Sequence, residues 1–327
     1  MTITGPALVT GALGQDGFLL CRRLREMGTE VVGTARPGGG RGERRAILTG
    51  LGCRLVDLDV GDPAALGRLI AEVRPAALFH LAAVHHASDG PPETPQVRQS
   101  MVAVNEVAAE VIASRCVTAG LDCSIVYASS SQVWTAHRPE QRVDETTPME
   151  PATFYGDTKA KGTDILRQYR ARHGVRAKVA ILFNHESPWR DGSFVSRRIS
   201  MAAAQAVAGK RDVLTLANIG ARVDWQAAVD VIEGLLLMAA SEASDDYVLA
   251  SGQSHSVRDF LDAAFGHVGI DWKDLVAAKE DRPGPGLIGV PVKAATRLGW
   301  RPRSTFADLV RGMVDADLAR LRGMSPG

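Results

Sequence analysis

The segment Thr10-Gly11-Ala12-Leu13-Gly14-Gln15-Asp16-Gly17 follows an apolar run, Ala7 to Thr10, and opens a helical pattern that reaches about Met27. Glycines spaced G-x-x-G-x-x-G at a strand-to-helix junction make a turn tight enough for backbone amides to meet a pyrophosphate, with the helix dipole behind it. Gly11, Gly14 and Gly17, with Gln15 and Asp16 between them, are therefore candidate cofactor contacts. Further strands are predicted at Glu30 to Ala35, Arg54 to Val60, Ala76 to Ala83 and Ser124 to Ser130. Helical patterns near Ala64 to Val73 and Val102 to Ala119 alternate with them. Continuous apolar strands separated by helices imply a parallel sheet covered on both faces, with right-handed crossovers. The expected fold class is α/β, a doubly wound parallel sheet with a smaller C-terminal substrate-binding domain. Residues 1–183 belong mainly to the first and 184–327 mainly to the second. The two interleave, because the alternation becomes irregular after Asn184.

Composition narrows the partners. Lys plus Arg number 38 and Asp plus Glu 37, a net charge of +1. Such a balance gives no global field for nucleic acid or an anionic membrane. No run approaches the roughly 18 apolar residues of a membrane span. The first residues lack the basic region of a signal peptide. Cys21, Cys53, Cys116 and Cys123 form no C-x-x-C and no zinc pattern with histidine, so they read as reduced buried thiols with no metal site. A cytoplasmic location is the expectation. The stretches Pro37 to Arg45 and Arg282 to Pro291 read as loops, the first solvated or clamping a phosphate.

The end of the second strand selects the cofactor. An acid there binds a ribose 2′-hydroxyl, whereas arginine suits a 2′-phosphate. The strand ends Thr34-Ala35-Arg36, so NADP is expected rather than NAD, with Arg36 making a charge-assisted fork. Asp59 and Val60, at the end of the third strand, are placed for the adenine edge, and Leu81 belongs to the same set of cofactor contacts.

Tyr155 and Lys159 stand one helical turn apart and share a face. A nearby ammonium favours the phenolate and can also bond a ribose. A tyrosine lowered toward neutrality can move a proton to or from a sugar hydroxyl while hydride moves to nicotinamide. Ser129, Ser130 and Ser131 end the fifth strand, where a hydroxyl can hold the substrate oxygen. Ser130, Ser131, Tyr155 and Lys159 together point to redox chemistry at a carbinol.

With these residues in place, the chain resembles the extended short-chain dehydrogenase/reductases of Rossmann fold, and within them the GDP-mannose 4,6-dehydratase family. The resemblance runs through Gln15-Asp16-Gly17, Asp144-Glu145-Thr146-Thr147-Pro148, Leu182 to Pro188 (LFNHESP), Phe194 to Ile199, Leu298 to Arg303 and Met313 to Asp317. Asn-His-Glu-Ser-Pro is its most specific segment. It implies a GDP-hexose in the C-terminal part of the cleft. Asn184 would hold a sugar or phosphate oxygen, Glu186 and Ser187 would shape the site, and His86 aligns with a family histidine. Arg190, Arg197 and Arg282 are candidates for the pyrophosphate. A homodimer or homotetramer is also implied, with Arg41 to Arg45 reaching toward a neighbouring subunit's cofactor.

The family pattern places glutamate where this chain has Gln132. A carboxylate can take the C5 proton and help expel the C6 hydroxyl, whereas a neutral amide cannot. Trp189, Thr135, Val223, Gln226, Ala227, Val84 and His85 are further departures, expected around the sugar pocket. His85, His86 and Glu150 are the candidates for a substitute base. This leaves three readings: a 4,6-dehydratase; a GDP-sugar 4-epimerase, 4-dehydrogenase or 4-keto reductase that needs no carboxylate; and an inactive nucleotide-binding paralogue. Arg36→Ala should weaken NADP by about 1.5–3 kcal/mol and leave NAD nearly unaffected in calorimetric titrations. Equal losses would show that Arg36 does not meet the 2′-phosphate.

Overall fold

The structure is a computed structural model that describes residues 3–85, 93–135, 141–210, 212–284 and 286–324. Its main sheet has seven parallel strands: β1 (Ala7–Thr10), β2 (Val31–Ala35), β3 (Arg54–Asp57), β4 (Ala77–His80), β5 (Ser124–Ser130), β6 (Ala177–Leu182) and β7 (Asp246–Leu249). Their spatial order is β3-β2-β1-β4-β5-β6-β7. The chain therefore reverses direction across the sheet between β1 and β4, and a crevice opens at the carboxyl ends of those strands. The sheet is flanked by α1 (Gln15–Glu26), α2 (Gly42–Gly50), α3 (Pro63–Val73), α4 (Pro95–Val102), α5 (Ala108–Thr118) and α6 (Phe154–His173). Further on come α7 (Val195–Val207), α8 (Ala228–Ala240), α9 (Val257–His267), α10 (Val292–Arg297) and α11 (Phe306–Leu321). No described helix is long and apolar enough to cross a membrane, and all four cysteines are free and buried.

Strand pleating divides the core. Val9 joins Phe18 and Leu24 of α1 and Leu235 of α8 on one face. Its neighbour Leu8 joins Leu66 of α3, Ile112 of α5 and Leu166 of α6 on the other. A third apolar cluster, with Ile199, Trp225, Phe260 and Met313, sits among α7, α9 and α11. The C-terminal half thus contributes α8, α10 and β7 to the sheet layer and builds its own core around α7, α9 and α11.

At the crevice, Thr10 Oγ1 lies 2.7 Å from His80 Nδ1, and His80 Nε2 lies 2.9 Å from the Val104 carbonyl. A carbonyl only accepts, so Nε2 carries the proton and Nδ1 receives the Thr10 hydroxyl. Burial, with Lys159 nearby, pushes the His80 pKa down to about 4, so the ring is a neutral brace between β1 and β4.

Some expectations are corrected here. The Pro37 to Arg45 stretch is not all loop, since α2 begins at Gly42. Its arginines make contacts within their own chain, and Arg41 also lines the crevice. Arg41 and Arg44 each donate to the Leu13 carbonyl (2.9 and 2.8 Å), Arg44 also bonds the Trp189 carbonyl, and Arg45 pairs with Asp57. Arg197 does not face a ligand groove. It is buried in an ion pair with Asp317 of α11, whose carboxylate also takes hydrogen bonds from Ser200 Oγ (2.7 Å) and Arg320 Nη1 (2.9 Å). A buried guanidinium needs a counter-charge within the fold, and Asp317 supplies it.

A short seam ties the glycine turn to the segment after β6. Ser187 Oγ donates to Gln15 Oε1 (2.8 Å), and His185 Nε2 meets Asp16 Oδ2 (2.9 Å) while Nδ1 meets the Phe183 carbonyl (2.7 Å). Both ring nitrogens face acceptors, so His185 is held as an imidazolium. Burial alone would pull its pKa down, but the Asp16 carboxylate outweighs burial and the net shift is upward. Burial likewise opposes ionisation of Asp16, and the His185 charge and hydrogen bond reverse that to a net lowering.

Asp317→Ala should destabilise the fold by about 3–5 kcal/mol, because it strands buried Arg197. Urea unfolding measures this, and a loss under about 1 kcal/mol would mean that the pair is solvated. For the seam, the raised His185 contributes stability below its unfolded pKa of about 6.5 and loses it as pH rises through the folded value. The lowered Asp16 contributes above about 3.9 and loses it as pH falls. A double-mutant cycle with Asp16→Asn and His185→Gln should therefore show its largest coupling between those limits and a smaller one in alkali.

Candidate active site

Two adjoining grooves occupy the crevice. The first, about 430 Å³, is lined by Gly11, Gly14, Arg36, Asp59, Val60 and Leu81 among others. Gly11 has φ +74°, and a Cβ on it would lie 2.9 Å from the Ala82 backbone; one on Gly17 would collide with the Gly11 carbonyl oxygen. The turn thus requires glycine at both positions. Gly14 caps α1 without a side chain, so the first amides of the helix stay open toward the groove. Asp59 lies past the end of β3, where its carboxylate accepts from the Gly61 amide (2.9 Å). The Gln15 side chain donates to the His185 carbonyl (3.0 Å) and accepts from Ser187, so its backbone amide, at the first position of α1, is what it offers this groove.

The second groove, about 370 Å³, brings together Asp16, Ser130, Ser131, Gln132, Tyr155, Lys159, Asn184, His185 and Arg190. It shares Leu81, Ala83 and His85 with the first. Local chemistry explains the placement. Thr153 caps α6 by accepting the Gly156 amide (3.0 Å), which sets Tyr155 in the first turn and Lys159 one turn later on the same face. A Cβ on Gly156 would strike the Gln132 carbonyl, so this glycine lets the helix start close on the Ser131–Trp134 turn. Lys159 Nζ donates to the Ala128 carbonyl (2.8 Å). Ser130 and Tyr155 line the same groove, and Ser130 lowers the Tyr155 pKa.

The electrostatics differ from the sequence-based expectation. Burial pushes Tyr155 up to about 12, against the lowering by Ser130 and Arg190. Burial also pushes Lys159 down to about 7. A half-neutralised lysine is a weak stabiliser of phenolate, so Tyr155 is a phenol at neutral pH. Gln132 Oε1 accepts from Thr153 Oγ1 (3.1 Å). Among the described residues lining this groove, Asp16 is the sole carboxylate, and it is paired with His185.

The expected substrate residues divide. Asn184 is exposed in the second groove, and Arg190 lies there too, its guanidinium 3.5 Å from the Phe194 ring centroid. Glu186 is buried behind it, 3.1 Å from Arg190 Nε and accepting from Ser196 Oγ (2.8 Å), so it positions the arginine. Ser187 belongs to the seam. Arg282 is exposed and paired with Glu280 (2.7 Å), outside both grooves. His86 lies outside the described residues. Of the departures from the family pattern, Val223 lines the second groove and His85 both. Trp189 instead packs on Phe18 (centroids 4.4 Å apart), and Gln226 is buried with its amide on the Leu249 carbonyl (2.6 Å). Glu150 is not among the lining residues.

Two residues escaped the sequence reading. Asn105 sits in a π-helical turn, Ala103–Val107, where its amide donates to Thr158 Oγ1 (2.9 Å) and its carbonyl accepts the Tyr127 hydroxyl (2.9 Å). It braces α6 behind Lys159. A polar residue inside the apolar helix Val102 to Ala119 was its only signal. His185 was visible only as part of a motif, and its partner Asp16 lies 169 residues away.

Comparison with known proteins agrees with this architecture. The family described as GDP-mannose 4,6 dehydratase matches residues 8–313. GDP-mannose 4,6 dehydratase 1 of Arabidopsis thaliana is 36% identical over 325 residues, covering 95% of this chain and 89% of that protein. The crystal structure of UDP-glucose 4-epimerase from Thermotoga maritima superposes with a TM-score of 0.83 at 18% identity, covering 97% of this chain and 99% of that one. That of dTDP-glucose 4,6-dehydratase from Bacillus anthracis, in complex with NAD, gives 0.80 at 15% identity, covering 95% and 96%. The glycine turn, the Tyr-Lys pair and the adjoining groove stand in a chain matched nearly end to end, and the protein belongs to the GDP-mannose 4,6-dehydratase family of enzymes.

Proposed function

We propose that the chain is an NADP-dependent enzyme that transfers hydride at C4 of a GDP-hexose without dehydrating it. The first groove fits a dinucleotide. Gly11 and Gly17 leave backbone room for a pyrophosphate beside the open end of α1, Asp59, Val60 and Leu81 line the adenine side, and Arg36 stands at the mouth where a 2′-phosphate would lie. Nicotinamide bound there supplies the acceptor or donor of hydride. Lys159, at the floor, would hold the ribose.

Tyr155, a phenol at neutral pH, gives its proton to a C4 ketone as the carbinol forms. In the reverse direction the phenolate is needed, and the protonated fraction of Lys159 favours it. Ser130 lines the same groove and fixes the substrate oxygen. Asn184 and Arg190 offer an amide and a guanidinium to the nucleotide sugar, Arg190 being held by Glu186.

The observation that carries the reading is Gln132. It lines the groove as an amide tied to Thr153, and Asp16, the one carboxylate among the described residues lining that groove, is committed to His185. Elimination across C5 and C6 requires a group that takes one proton and delivers another, and an amide does neither. One observation favours dehydration instead: the imidazole of His85 packs against Tyr155, ring centroids 5.0 Å apart.

Incubation with GDP-mannose and NADP should give no product lighter by one water. Mass spectrometry should instead show loss of two hydrogens with reduced cofactor, or sugar NMR an epimer of unchanged mass. A dehydrated product would establish the second reading. Tyr155→Phe should abolish hydride transfer while nucleotide binding by calorimetry stays nearly unchanged. Turnover at the wild-type rate would remove Tyr155 from the reaction.

A further inference from the structure

Arg44, in the first turn of α2, reaches both sides of the crevice. Its Nη1 donates to the Leu13 carbonyl (2.8 Å) in the glycine turn, and its Nη2 donates to the Trp189 carbonyl. Each carbonyl shares a planar peptide group with a groove-lining residue, Leu13 with Gly14 of the first groove and Trp189 with Arg190 of the second. One rigid guanidinium thus spans the two seats. Its Cζ also lies 5.6 Å from the Trp189 ring centroid and 5.9 Å from that of Phe18, and Arg320 of α11 stands 5.5 Å from the same indole. Burial, with the Arg41 charge alongside, brings the Arg44 pKa down to about 10, so the group is charged at neutral pH. The rest of α2 is lightly held. Leu48 is its sole buried residue, and Ile47 packs partly on the same cluster. In the strap that leads into α2, Gly38, Gly40 and Arg41 have φ of +69°, +66° and +63°, and Arg36, Gly39 and Arg41 line the first groove.

We propose that Arg44 is a positioning residue that couples the two grooves, so that a phosphorylated dinucleotide in the first and a nucleotide sugar in the second each tighten binding of the other. This rests on the NADP and GDP-hexose reading given above. Cofactor phosphates resting on Arg36 and Arg41 settle the strap and α2, and Arg44 carries that order to the Trp189–Arg190 peptide. A sugar diphosphate taken by Arg190 fixes the same peptide from the other side. Whichever ligand arrives first orders the shared bridge, and the second meets a bridge already ordered. Such coupling is reciprocal, so each ligand shifts the other's affinity by one and the same factor. The Asp16–His185 pair ties α1 to this segment through different atoms, and it keeps the grooves assembled when the Arg44 bridge is removed.

The four dissociation constants of the binding cycle test this. They are measured by calorimetry with NADP and GDP-mannose in a Tyr155→Phe background, the variant expected to bind without turnover. NADP should tighten GDP-mannose by about 5-fold or more, and GDP-mannose should tighten NADP by the same factor. Arg44→Met keeps the length of the side chain and removes its donors. In it the factor should fall below about 2-fold while the affinity for each ligand alone changes by less than about 2-fold, a split that general loosening of the fold would not give. Arg44→Lys offers a single ammonium that cannot fork between the two carbonyls, so it should lose the coupling as well, and it carries the test if Arg44→Met does not fold. Coupling that persists at its full factor in either variant overturns the proposal. Loss of binding of NADP alone in Arg44→Met makes Arg44 a direct ligand and overturns it too. Absence of coupling in the Tyr155→Phe protein, with both ligands bound, overturns the proposal and leaves the functional reading standing. Failure of either ligand to bind that protein overturns the functional reading and this assignment together.

Discussion

The seam between Gln15-Asp16 and His185-Ser187 holds the two halves of the crevice in one geometry. One side is the glycine turn, which presents open amides to the first groove. The other is the segment that carries Asn184 and Arg190 into the second. The contacts are an ion pair and a buried hydroxyl–amide bond, both directional, so they set position as well as contact. Hydride transfer needs its two partners aligned to a fraction of an ångström. A chain that builds one groove on the sheet and the other on a more irregular segment needs such a tie.

Behind that seam, a set of buried polar groups ties the elements together. His80 bridges β1 to the π turn, Asn105 joins that turn to α6, and Lys159 is anchored on the Ala128 carbonyl. The result is a rigid floor under Tyr155. Burial is also what brings Lys159 to about 7 and Tyr155 to about 12. The packing that fixes Tyr155 and Lys159 thereby sets their protonation.

Gln132 lines the second groove without loosening its frame. Its Oε1 accepts from Thr153, which also caps α6, so the Ser131–Trp134 turn and the start of α6 are held in register. His85 brings an imidazole to the same groove from the segment after β4. The groove thus carries an amide and an imidazole beside Tyr155 and Lys159.

The sequence by itself determined the doubly wound sheet, the glycine turn and the Tyr155–Lys159 face, because each depends on local spacing: strand against helix periodicity, steric room for glycine, and i to i+4 geometry. It also exposed Gln132. Tertiary structure alone decided which arginines line the grooves. Arg197 is consumed by Asp317, Arg282 lies outside, Arg36 and Arg41 line the first groove and Arg190 the second. It alone decided the direction of the Tyr155 shift. A guanidinium's partner and a phenol's solvation depend on atoms brought together from distant parts of the chain, and no local pattern encodes them.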